Sequence, residues 1–153
     1  MSALINGEQW VSDSLETSNL IKYVDDWQVL TFGGEGGNYT IYLSITEPTK
    51  TECTSEETII GAHPLDRIIN TEASLYHSTE DGTLIRLSYK EGIEFISDFE
   101  LTITKCKEDK VSGTFSGAFY SSEDNEPVII KDGEFKSIPF ENFVNTQFSV
   151  FGN

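Results

Sequence analysis

Residues 100–120 read ELTITKCKEDKVSGTFSGAFY, two stretches of alternating apolar and polar residues around a charged, turn-forming Lys107-Glu108-Asp109-Lys110. Leu101 and Ile103 share one side of the first stretch. Val111, Gly113, Phe115, Gly117 and Phe119 share one side of the second. Successive strand side chains face opposite sides of a sheet, so a period of two sustained over this length specifies a half-buried β-hairpin. The segment sets an all-β fold class and says nothing of chemistry.

The same period recurs along the chain. Tyr39, Ile41, Leu43 and Ile45 alternate with Thr40, Tyr42, Ser44 and Thr46, and Leu84, Arg86 and Ser88 alternate with Ile85, Leu87 and Tyr89. Asn6-Gly7 supplies the two positive-φ residues of a type I′ turn between short strands. Residues 20–24 and 27–32 read as strands, and residues 33–38, four of them glycine, as a flexible turn. Further short strands are expected at 58–60, 95–96, 128–130 and 134–138, the last two separated by a tight turn at Asp132-Gly133. Between Pro64 and Tyr76 the apolar residues fit helical spacing. We read that piece as a loop with at most one helical turn, followed by a strand near residues 73–77. Phe143, Val144, Phe148, Val150 and Phe151 give the tail enough apolar surface to dock as a last strand. The even spacing predicts one domain over residues 1–153, an antiparallel β-sandwich or closed β-barrel of about nine to eleven strands with little helix.

Composition narrows the function classes. Ten Lys and Arg against 26 Asp and Glu give a net charge of −16. Affinity for nucleic acids and anionic membranes rests on cationic side chains, so the balance argues against both. No apolar run approaches the roughly 18 residues of a membrane span, and a monomer is expected. Cys53 and Cys106, the two cysteines, lack the Cys-x-x-Cys spacing of a zinc or redox site. A disulfide between them in an oxidising compartment and a pair of free buried thiols are the two alternatives.

No constellation for catalysis is present, and the chain is expected not to be an enzyme. There is no Gly-x-Ser-x-Gly elbow, and Ser112 in Val111-Ser112-Gly113 is the polar-facing residue of a strand. His63 and His77 stand apart from any nucleophile. Asp25-Asp26, Glu80-Asp81 and Glu123-Asp124 fall at turns or loops, where acidic residues serve turn formation, and no calcium-loop pattern is present. Neither a metal nor a cofactor is expected. Aromatic rings offer another possibility, because flat rings bury the apolar face of a sugar. Tyrosines ordinarily cover a sheet face with the hydroxyl in water, and Tyr23, Trp27, Tyr42 and Tyr120 form the candidate ligand-binding surface.

From Leu4 to Phe140 the pattern resembles a family of uncharacterised secreted proteins and lipoproteins of Bacteroidetes (DUF6252-like). Four pieces carry the resemblance: Ile5-Asn6-Gly7-Glu8-Gln9-Trp10; residues 30–34 with 38–43; Leu101-Thr-Ile-Thr104 with residues 111–116; and residues 129–135. The resemblance implies an extracytoplasmic protein and transfers no catalytic residue. Family members typically follow a signal peptide and a lipidated cysteine. This chain opens Met1-Ser2-Ala3, so the expectation is a periplasmic or cell-surface protein whose leader lies outside this sequence, with a cytoplasmic location as the alternative. The functional expectation is a non-enzymatic binding or interaction module of a bacterial cell envelope. Its partner would be a small molecule, a glycan or a protein. A lipocalin-like barrel carrying a small apolar ligand is the alternative.

Overall fold

A computed structural model describes residues 1–23, 27–48, 58–60, 70–82, 84–88, 99–119 and 127–145. In chain order the strands are β1 (Ser2–Ile5), β2 (Glu8–Val11), β3 (Ser14–Tyr23), β4 (Trp27–Gly36), β5 (Tyr39–Pro48), β6 (Thr58–Ile60), β7 (Asn70–Ser78), β8 (Leu84–Ser88), β9 (Phe99–Lys107), β10 (Lys110–Phe119), β11 (Val128–Pro139) and β12 (Glu141–Asn145). They form two six-stranded sheets. The first, sheet A, has the order β2-β1-β11-β10-β9-β6, and the second, sheet B, β12-β3-β4-β5-β7-β8. Among the described residues there is no helix. The architecture is a sandwich, not a closed barrel, and the described strands number twelve against the nine to eleven expected.

The hairpin expected from residues 100–120 is present. Val111 pairs with Cys106 and Phe115 with Leu101, across a two-residue turn in which Glu108 and Asp109 both have φ 55°. Inward residues of both sheets then close on one core. Phe32 of β4 meets Phe135 of β11 across the sandwich with ring centroids 4.7 Å apart, Phe135 stacks at 6.3 Å on Phe115, and Phe99 meets Phe119 at 5.9 Å. Leu30, Ile41, Leu43, Ile45, Leu75, Leu101 and Val111 are fully enclosed around them.

Among the described residues, two corners tie the sheets together. At the first, the chain leaves β2 through Ser12-Asp13 and enters β3 in the other sheet. Ser12 N donates to Met1 O at 2.9 Å, Asp13 N to Glu35 O at 2.7 Å, and the buried Trp10 Nε1 to Gly36 O at 2.8 Å. At the second, β11 passes through buried Phe140 into β12, which pairs parallel with β3, unlike every other described pair. Asp109 holds this corner: its carbonyl accepts from Phe140 N at 3.0 Å and its carboxylate from Asn142 Nδ2 at 2.6 Å.

Three expectations need correction. Residues 33–36 are the end of β4, not part of a turn, and the turn is Gly37-Asn38 alone. The glycines are there for clearance: a Cβ at Gly33 would stand 2.7 Å from Ile41 O, one at Gly34 2.8 Å from Ser12 Cβ, and one at Gly36 against the Val11 carbonyl oxygen. Asp132-Gly133 is not a tight turn either. It lies inside the continuous β11, where Asp132 takes φ 51° and the β10 register slips between Phe115 and Gly117, the signature of a β-bulge. The first long strand begins at Ser14, not residue 20. The expected strands near 73–77 and at the start of the tail are β7 and β12. The expectations for residues 61–69, 95–96 and 146–153 lie outside the described residues.

Candidate functional site

The bulge in β11 shapes the outer face of sheet A. Glu100 on β9 pairs with Ser116 on β10, and Thr102 with Thr114, which in turn pairs with Glu134 on β11. Core residues Leu101, Phe115 and Phe135 point to the opposite face, so this whole row alternates outward. The extra residue at the bulge leaves Asp132 exposed on the same side. Short hydroxyl side chains on the middle strand lie between longer carboxylates on its neighbours. The result is an open groove of about 380 Å³ lined by Glu100, Thr114, Ser116, Asp132, Gly133 and Glu134, with Phe115 at its base. Its walls, β9 and β11, are two strand spacings apart, about 10 Å. Lys136 Nζ lies 3.0 Å from Glu134 Oε1, an exposed pair of little energetic weight. The lining is rich in hydrogen-bond acceptors, so the groove suits a ligand that presents donors.

Sheet B presents a different outer face. Tyr42 on β5 lies over Gly33 of β4, where a Cβ would meet the Tyr42 ring at 2.7 Å. Tyr76 on β7 meets Tyr42 edge-on, with centroids 5.7 Å apart and planes at 90°. Tyr76 is missing from the aromatic surface expected from sequence, although it falls within the strand expected near residues 73–77. The alternation of Ala73 and Leu75 with Ser74 and Tyr76 is the signal that could have found it. Trp27 pairs with Pro48, six residues along β4 from the Gly33–Tyr42 pair, a separation of roughly 20 Å. The backbone of Tyr23 ends β3 at that same far end. The side chains of Tyr23 and Trp27, and all of Tyr120, lie outside the described residues. The four expected aromatics are therefore not shown as one platform, and Tyr42 fills a gap over its own sheet.

Other polar groups serve the fold. His77 stacks on Tyr39 at 4.7 Å with planes 17° apart. Burial, then the nearby Glu8 carboxylate, holds the Tyr39 phenol above its ordinary pKa. Ser112 Oγ accepts from Ser137 N at 2.8 Å, satisfying a second bulge at which Ser137 has φ 49°. His63 lies outside the described residues. Among the described residues no group of three His, Cys, Asp or Glu could hold a metal ion, and no helix is long and apolar enough to cross a membrane. Cys106, half-buried near the end of β9, is disulfide-bonded, while Cys53 lies outside the described residues.

The groove residues escaped the sequence reading for one reason. They are the polar half of the alternation that defined the hairpin, and polar strand positions look alike whether they face plain solvent or a depression. No family model, no curated protein and no solved structure matches the chain.

Proposed function

We propose that this protein is a non-enzymatic binding module of an extracytoplasmic compartment, and that its ligand seats in the groove across β9, β10 and β11. The groove itself carries this reading: a concave, solvent-open site floored by Thr114 and Ser116 and walled by Glu100, Asp132 and Glu134. Its size is that of a small-ligand site. Carboxylates and hydroxyls arranged this way accept hydrogen bonds from the hydroxyls of a sugar or from an ammonium or guanidinium group. The disulfide at Cys106 supports an oxidising location, since thiols are kept reduced in most cytosols. The resemblance to secreted Bacteroidetes proteins supports a bacterial envelope. A net charge of −16 favours ligands other than polyanions. A lipocalin-like carrier would need a closed barrel around an apolar cavity, and two sheets over a shared aromatic core give that reading no support.

The test fills the groove without touching the core. Ser116 is replaced by Trp, and binding to soluble envelope oligosaccharides and to short Lys- and Arg-rich peptides is measured by calorimetry beside the wild type. Binding of one class by the wild type and its loss in Ser116→Trp, with the melting temperature preserved, supports the reading and identifies the class. Equal binding by both proteins, or none by either, overturns it.

A further inference from the structure

Among the asparagines of the chain, Asn6 alone precedes a glycine, and the fold places this pair in an unusual position. Asn6 and Gly7 form the exposed tip of the β1–β2 hairpin with φ 49° and 83°. Asn6 also extends the pairing of β1 with β11 past the end of the strand. Its backbone N donates to Ile129 O at 2.8 Å, and its side-chain Oδ1 accepts from Ile129 N at 2.8 Å. The carboxamide thus stands in for the backbone carbonyl of a ladder rung.

We propose that Asn6 is a covalent modification site, the residue at which the folded chain deamidates first. Three features converge on its side-chain carbonyl carbon. The neighbouring nucleophile is a glycine amide, with no Cβ to obstruct attack and nothing within 4 Å of where one would be. Both residues are open to water and hydroxide. Ile129 N–H bonds the carbonyl oxygen, polarising it and offering a donor to the oxyanion of the tetrahedral intermediate. Hydroxide removes the Gly7 amide proton, and the nitrogen attacks Asn6 Cγ. The new N–Cγ bond gives a tetrahedral oxyanion, which collapses as the Cγ–Nδ2 bond breaks, and Nδ2 takes a proton from water and leaves as ammonia. Water then opens the succinimide at either carbonyl, giving aspartate or isoaspartate. The net change is amide plus water to acid plus ammonia, with one added negative charge.

The two products have different consequences for the fold. Aspartate keeps an acceptor oxygen where Ile129 N needs one. Isoaspartate routes the main chain through the former side chain, adds a methylene to the turn, and removes the two-point bond to Ile129. The hairpin tip then detaches from β11, making this a slow, base-promoted release built into the junction.

Folded protein held at mildly alkaline pH in heavy-oxygen water, sampled over time and peptide-mapped by mass spectrometry, tests the site. Label should enter at Asn6 several-fold faster than at Asn38, which is also exposed but precedes Tyr39. Hydrogen exchange at the Ile129 amide should accelerate in proportion to the isoaspartate fraction and stay protected in Asn6→Asp. The proposal is overturned if folded protein keeps Asn6 intact while urea-unfolded protein loses it, or if Asn38 keeps pace. Loss of Ile129 protection in Asn6→Asp would overturn the separate roles given to the two products.

Discussion

Both sheets carry gaps where glycine stands in a strand, and Gly33 of sheet B is filled from the side opposite to that of Gly113 and Gly133 of sheet A. In sheet A a Cβ at Gly113 would meet Phe135 Cζ at 2.6 Å, and one at Gly133 would meet the Phe115 ring at 2.7 Å. Those spaces are filled from the core, by the two rings that stack on each other. The outer side of the same strands keeps short Thr114 and Ser116, and a groove remains open to solvent. In sheet B the gap at Gly33 is filled from outside by Tyr42, braced by Tyr76. Gly33, Gly113 and Gly133 each make room for a ring on the next strand, whereas Gly34 and Gly36 make room for the chain corner at Val11–Ser12.

Phe115→Ala should have the largest effect on sheet A. Phe115 is 3% exposed and packs on both Phe135 and Gly133. Its removal should cost about 3–5 kcal/mol in denaturant melts, and a loss under about 1 kcal/mol would place the wrong ring at the centre of the core.

A paired substitution at the end of β4 comes next. Gly36→Ala drives a methyl into the Val11 carbonyl at the first corner and should cost about 1–3 kcal/mol. Gly37→Ala meets no atom but must hold φ near 53°, a cost of about 1 kcal/mol. If Gly37→Ala is the more damaging, the glycine run belongs to the turn after all.

Tyr42→Ala probes sheet B. It should remove an aromatic pair contributing about 0.5–1.5 kcal/mol beyond the ring's own burial, and leave ligand binding unchanged. The smallest effect concerns Tyr39. Its folded-state pKa is raised, so the neutral phenol's contribution is complete below the unfolded value of about 10 and is lost as pH rises through the folded value. Melts above pH ~10 should therefore show a slightly steeper loss of stability for the wild type than for Tyr39→Phe. Identical slopes would remove Tyr39 from the account.

Much of the fold was legible in the sequence, for a physical reason. Side-chain alternation is a local property, and it located β5, β8, β9 and β10 from residues such as Ile41, Leu87, Ile103 and Phe115. Errors arose where the cause was non-local. Gly33, Gly34 and Gly36 look like a turn until the Val11–Ser12 corner is placed against them, and Asp132-Gly133 looks like a turn until β1 and β10 are seen flanking the strand. The candidate site was less legible. Glu100, Ser116 and Asp132 come from three strands, and only the register brings them together. Tyr42 was readable as facing away from Ile41 and Leu43, but only the pairing of β5 with β7 brings Tyr76 to its edge.

The comparison of outer faces comes down to which one a ligand chooses. Amide chemical shifts of isotope-labelled protein, followed during titration with the oligosaccharide or basic peptide that binds in calorimetry, answer this directly. If the groove is the ligand surface, perturbations should group at Glu100, Thr114, Ser116, Asp132 and Glu134, with Tyr42, Ser74 and Tyr76 unmoved. Perturbations grouped on Tyr42 and Tyr76, with the groove silent, would contradict it.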